Sequence, residues 1–209
     1  PGTTPAVRLT GGIHGNEKMS IELLIRFIEY LTSNYGTNTA VTTIVDSRYI
    51  CVIPVLNPDG LAAHSRYNAN GVDLNRNFND SGNHWTAGTN HGSAAFSESE
   101  TQAMAAFSST IGFNLSITYH VCSVLVNMPF DYAKESVDVP GEYSLIQTYA
   151  KTYTNGGGGR FLSNPDLYIS SYMDEGTING GNWYVITGSL QDWSYTVKQC
   201  LDLTIEIAE

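Results

Sequence analysis

Two histidines and a glutamate in this sequence are spaced so that they could hold a metal ion. His14-Gly15-Asn16-Glu17 follows Ala6 to Gly11, which reads as a strand running into a Gly-Gly turn. At such a strand-to-helix junction an imidazole and a carboxylate come side by side and can be two ligands of a zinc ion. Alone, the H-x-x-E pattern has a second reading: a turn histidine beside a glutamate that satisfies the dipole of the helix it opens. A third ligand is expected from a neighbouring strand end, and His120 closes Leu115-Ser116-Ile117-Thr118-Tyr119 at that place. Taken singly, such a histidine is more often a buried, hydrogen-bonded one than a ligand. Two histidines and one carboxylate leave zinc an open fourth position for water, which marks a catalytic rather than a structural site. His64, His84 and His91 lie in a long irregular stretch and lack that setting.

Arg66 and the run Asp73-Leu74-Asn75-Arg76-Asn77-Phe78 form a second group. Two arginines and an amide in a Gly/Asn-rich loop can grip a carboxylate by bidentate hydrogen bonds. The plainer alternative is a pair of surface arginines matched to acids such as Asp59 or Asp73. In the last apolar segment, Asp202, Thr204 and Glu206 face away from the apolar side. Glu206 either points into a cleft at the strand's end or is a solvated strand residue.

The elements that must position these groups follow from periodicity. A helix is expected from Lys18 to Asn34, with Ile21, Leu24, Ile25, Ile28 and Leu31 at helical spacing and Gly36 closing it. Tyr49 to Leu56 reads as a buried strand ended by an Asn57-Pro58-Asp59-Gly60 turn. Ala62 to Ala95 reads as loop, and irregular stretches of that length are usually functional. A second helix is expected from Glu98 to Ser109, with Ser97 and Glu100 as a capping box. Further expected elements are a strand from Phe113 to Tyr119, a helix from Tyr143 to Thr152, a flexible Gly156 to Gly159 turn and a helical turn from Asp192 to Val197. A last strand runs from Leu201 to Ile207. Strands alternating with helices predict an α/β domain, a mixed β-sheet flanked by helices.

Composition narrows the function classes. The 209 residues carry 10 Lys and Arg against 20 Asp and Glu, a formal charge of −10, which argues against nucleic-acid binding. At 42% hydrophobic residues the chain can form a core and is not disordered. No apolar run approaches the roughly 18 residues of a membrane span. A surface kept polar by Ser, Thr, Asn and Gly is commoner in secreted proteins, so a secreted or extracytoplasmic location is expected. Cys51, Cys122 and Cys200 form no C-x-x-C motif; one disulfide plus a free thiol, or three free thiols, are open, and Cys122 is expected to be buried and inert.

In order along the chain, GGIHGNE, PVLNPDG, SRYNANGVDLNRNF, FSESET, ITYH, GTINGGNWY, GSLQDWSY and LTIEI together resemble the zinc metallocarboxypeptidases of the A/B and N/E type. The resemblance runs from Val7 to Ile207 and implies one catalytic domain over 1–209, with one zinc ion and peptide or protein C-termini as substrate; the sequence leaves the oligomeric state open, with a monomer as the expectation. It implies that His14, Glu17 and His120 ligate zinc. Arg66 would polarise the scissile carbonyl, and Asn75 and Arg76 would bind the terminal carboxylate. Tyr184 would close over the substrate, and Glu206 would be the general base. The segment from His120 to Asp131, with Gln191, resembles the N/E branch, where the aspartate receives a C-terminal Lys or Arg; the alternative for Asp131 is a loop acid held by local amides. Two departures stand out. The first motif begins at residue 14, so the domain is either minimal or lacks its front part, and Val121 and Cys122 replace the small residues that the N/E type has after its third ligand. Alternatives on the same scaffold are a cell-wall peptidase directed at diaminopimelate, an amidohydrolase of acyl-amino acids and a non-catalytic binding module.

Overall fold

The computed structural model describes residues 4–156 and 173–208. Among them, six strands form one mixed sheet: β1 (Ala6–Thr10), β2 (Tyr49–Ile53), β3 (Leu115–Val121), β4 (Leu125–Met128), β5 (Thr177–Asn179) and β6 (Leu201–Ile207). Their order across the sheet is β2-β1-β3-β6-β4-β5. Neighbours pair in parallel except β4 with β6, which are antiparallel. The expected α/β class with a mixed sheet is what the chain adopts.

Among the described residues, seven helices flank the sheet: α1 (Lys18–Asn34), α2 (Thr39–Ser47), α3 (Pro58–Ala63), α4 (Ser99–Ile111), α5 (Tyr143–Gly156), α6 (Gly180–Trp183) and α7 (Leu190–Lys198). One core joins Leu9, Tyr119, Val126, Leu203 and Ile205 of the sheet to Leu24 of α1 and to Ile146 and Ala150 of α5. A second joins Ile13, Leu56, Leu74 and Phe78 to Met104 of α4 and Trp193 of α7. The fully buried Arg8 reaches towards α4 and α7, bonding Ser108, Ser116, Ser194 and Asp202 at 2.8–3.1 Å. Four donors on one guanidinium satisfy a charge that could not otherwise be buried.

Several expected boundaries move, for local reasons. β2 ends at Ile53 because Pro54 has no N–H for the ladder, although Leu56 and Asn57 still donate to the Gly11 and Gly12 carbonyls. Asn57-Pro58 opens α3 instead of a plain turn: the Asn57 side chain accepts the Gly60 N–H at 2.8 Å and proline occupies the first helical turn. The capping box does not form, because α4 starts one residue beyond the expected Glu98 and the Ser97 hydroxyl donates to Glu98 Oε1. Gly36, with φ +79°, follows the C-cap Tyr35 of α1. The turn expected at Gly156 to Gly159 lies outside the described residues beyond Gly156.

Candidate active site

The carboxyl ends of the interior strands β1, β3 and β6 lie together at one end of the sheet, where open α/β sheets carry their crevices. β1 delivers the Gly11-Gly12-Ile13-His14 turn, and a Cβ on Gly15 would meet the Gly60 carbonyl carbon at 2.0 Å, so only glycine lets this turn pack against α3. Glu17 stands at the N-cap of α1 but makes no cap hydrogen bond; its carboxylate turns inward. His120 and Glu206 are register partners on β3 and β6. Sheet pairing alone therefore places one histidine and one glutamate side by side.

The His14 Nδ1 lies 2.6 Å from Glu17 Oε1 and 3.2 Å from His120 Nδ1, and His120 Nδ1 lies 3.1 Å from Glu17 Oε2. Tetrahedral bonds of 2.0–2.1 Å to zinc separate neighbouring ligand atoms by roughly 3.3–3.4 Å. The three side chains thus already stand close to the spacing a single ion needs, and all are buried. Among the described residues, buried polar atoms with no partner include Glu206 Oε2, His120 Nε2 and Asn127 Oδ1, whose residues all line the same cleft. Buried groups are rarely left so unless a ligand or water completes them.

Electrostatics follow the geometry. Burial works to raise the Glu17 carboxyl, but the charges and hydrogen bonds of His120 and His14 outweigh it and hold the group well below the ordinary carboxylate range. Burial would lower His120, yet Glu17 raises it. Glu206 shifts upward, chiefly through burial and partly through Glu17, against the pull of His120. A raised carboxyl beside a cationic centre suits a group that must take and return a proton.

Asp73 belongs to this site, although sequence reasoning treated it only as a partner for the arginines. Its Oδ1 accepts His14 Nε2–H at 3.0 Å and its Oδ2 accepts Arg66 Nε–H at 2.9 Å. Burial opposes its ionisation, but His14, Arg66 and Arg76 hold it far below the usual aspartate value. The bond to Nε2 fixes the tautomer of His14 so that Nδ1 presents its lone pair to the triad. The detectable signal was the position of Asp73, two residues before Asn75, whose N–H it caps at 2.9 Å.

The remaining expected residues divide. Arg66, Asn75, Asp131 and Tyr184 line the cleft with the triad and Glu206. Arg66 Nη1 reaches His14 Nδ1 at 3.2 Å and Glu17 at 3.5 Å. Asn75 Oδ1 accepts the Leu190 N–H at 2.9 Å, and Tyr184 is 47% exposed at the cleft mouth. Arg76 lies outside the lining, its Nη1 on the Asn75 carbonyl at 2.9 Å. Asp131 is buried, and its Oδ1 accepts Asn127 Nδ2–H at 3.1 Å and Gln191 Nε2–H at 3.2 Å. Gln191 is itself fully buried behind Asp131, its other end accepting the Thr204 N–H at 2.9 Å. A Cβ on Gly180 would meet Asp131 Oδ1 at 2.0 Å, so glycine keeps that wall of the cleft clear.

Cys122 departs from expectation. It is exposed and lines the cleft, because a φ of +143° turns its backbone out of the strand path. Cys51, half-buried, and Cys200, buried, are free thiols, so these two form no disulfide with each other.

An α/β sheet that gathers two imidazoles and a carboxylate at its strand ends, with an unpaired glutamate in the same cleft, is the architecture of a metallohydrolase. A zinc carboxypeptidase model matches residues 1–209, and the chain belongs to that family, whose metal is zinc. It is 34% identical to carboxypeptidase D of Mus musculus over 97% of this chain, and 28% identical to the carboxypeptidase N catalytic chain of Rattus norvegicus over all of it. The chain spans only 15% and 53% of those two relatives. The crystal structure of thrombin-activatable fibrinolysis inhibitor shares the fold, with a TM-score of 0.82 at 21% identity, covering 100% of this chain and 55% of that one.

Proposed function

We propose that residues 1–209 are one catalytic domain that removes the C-terminal residue from peptides or proteins, with His14, Glu17 and His120 holding one zinc ion. The observation that carries this is the approach of the three side chains, Glu17 through one oxygen to each imidazole, at 2.6–3.2 Å beside Glu206, whose Oε2 has no partner. Zinc, when bound, lowers the pKa of water and polarises a carbonyl. Glu206 takes the proton of the attacking water and passes it to the leaving amine. Arg66 stabilises the negative charge that develops on the carbonyl oxygen. Asn75 and Tyr184 on the cleft wall, with Arg76 bringing its charge towards Tyr184 and Asp131 from beside it, hold the free terminal carboxylate, which restricts cleavage to the last peptide bond.

Asp131 selects a C-terminal Lys or Arg. It is 3% exposed, faces the cleft and is backed by Asn127 and Gln191, so a cation there meets a buried, oriented carboxylate. The low charged fraction, 14%, supports a site of action outside the cytoplasm.

The test uses short peptides that differ only in C-terminal Arg or Phe, each also as its C-terminal amide. Release of the last residue from the free acids alone, with Arg preferred, is expected. Glu206→Gln should keep zinc and lose about 10²–10⁴-fold in kcat. Asp131→Ala should abolish the Arg preference while retaining turnover of the Phe peptide. Equal cleavage of the amides, or full activity of Glu206→Gln, would refute the exopeptidase reading.

A further inference from the structure

Asp192 has no part in the scheme above, yet it is a carboxylate with 1% exposure next to the selecting residue. It lies in the first turn of α7, where Ser189 Oγ accepts its N–H at 3.1 Å. Its carboxylate accepts the Asp131 N–H, at 3.0 Å to each oxygen, and the Tyr132 N–H at 3.0 Å. The group it anchors is therefore the backbone that carries Asp131. Asp131 in turn is oriented by Asn127 and Gln191, and Gln191 is the immediate neighbour of Asp192 on α7.

Two carboxylates thus stand together in the interior, Asp131 on the cleft wall and Asp192 behind it. A neutral side chain could accept the same two N–H groups without the repulsion between buried like charges. Two such charges make sense where a cation arrives to complete them. We propose that Asp192 is a positioning residue for specificity: it fixes the backbone of Asp131 and adds a second negative charge behind it, so that the cationic side chain of a C-terminal Lys or Arg completes the pocket. This rests on the reading of Asp131 given above.

Other charged and titratable groups bear on the pair. Arg76 and His120 put positive charge towards Asp131, Asp80 puts negative charge towards Asp192, and the phenols of Tyr132 and Tyr184 lie within range. Burial raises both carboxyls, and Asp131 pushes Asp192 further up.

The experiment compares wild type and Asp192→Asn on the Arg and Phe peptides across the pH range in which the wild type is active, because burial raises both carboxyls above the ordinary aspartate value. The Arg-over-Phe ratio should fall about tenfold or more, through KM for the Arg peptide, because the cation loses one of its two charges. Phe-peptide turnover, which also reports folding, should stay unchanged. The acid limb of the Arg-peptide profile should move to lower pH, since Asp131 loses a like-charged neighbour; an anchor with no electrostatic part would leave that limb in place. Should Asp192→Asn not fold, calorimetry of free arginine binding to wild type in two buffers of different ionisation enthalpy replaces it. Arginine should release protons as it draws the pair into full ionisation. An unchanged ratio and acid limb, equal loss on both peptides, or arginine binding without proton release would overturn the role of Asp192. A wild type without Arg preference would refute the reading of Asp131 and this one together; a wild type that prefers Arg beside an unaffected Asp192→Asn would refute this one alone.

Discussion

Replacing Asp73 by asparagine changes one atom at the point where the metal triad and Arg66 meet. Wild-type Asp73 Oδ1 receives the His14 Nε2–H at 3.0 Å and the Asn75 N–H at 2.9 Å, while Oδ2 holds Arg66 at 2.9 Å. Asparagine has one oxygen for these donors. If that oxygen stays with His14 and Asn75, its NH₂ group faces the guanidinium of Arg66, donor against donor. If it turns to Arg66, the NH₂ group faces His14 Nε2 and drives the proton onto Nδ1, the atom the metal needs. Losing such a partner of a ligating histidine typically costs about 10–100-fold in metal affinity, or about 1.4–2.7 kcal/mol. Zinc affinity would be measured by competition with a chromophoric chelator of known strength. A second readout is the stability of the metal-free protein to urea. The Asp73 carboxyl is depressed in the folded state, so its stabilisation is present above the ordinary value of 3.8 and is lost as pH falls below it. The stability gap between wild type and Asp73→Asn should therefore persist at pH 5–7 and narrow below about pH 3.8. Zinc affinity within twofold of wild type, or a gap that widens in acid, would refute the reasoning.

Two further predictions concern other parts of the chain. Arg8→Ala leaves Asp202 buried without its cation, and breaking such a pair costs about 3–5 kcal/mol, to be read as a lowered urea midpoint; a change below about 1 kcal/mol would contradict the account of Arg8. A thiol reagent at about pH 8 should modify the exposed Cys122 quickly and spare Cys200, whose thiol burial pushes up to about 12; mass spectrometry of the labelled peptides distinguishes the two.

The site was largely legible because its residues sit at ends of strongly patterned elements. Ala6 to Gly11, Phe113 to Tyr119 and Leu201 to Ile207 read as strands, and they bring His14, His120 and Glu206 to one end of the sheet. What escaped depended on contacts distant in sequence. Arg8 looks out of place in a strand until its partners appear 100 to 194 residues away. β4 and β5 have four and three residues, too short for a period to register. α2 is rich in β-branched residues and reads against helix propensity; its one local signal was the Asn38 cap, which accepts from Ala40 and Val41. Asp192 and Asp73 looked like ordinary acids because their partners are backbone amides and a histidine ring supplied by other segments.

The most direct test of the central claim is the metal content of the purified chain together with its dependence for release of C-terminal arginine. The account predicts one zinc per chain, loss of arginine release when a chelator removes the metal, and recovery on adding one equivalent back. His120→Ala should lose both the zinc and the release. Undiminished arginine release by the metal-free protein, or zinc bound equally well without His120, would contradict it.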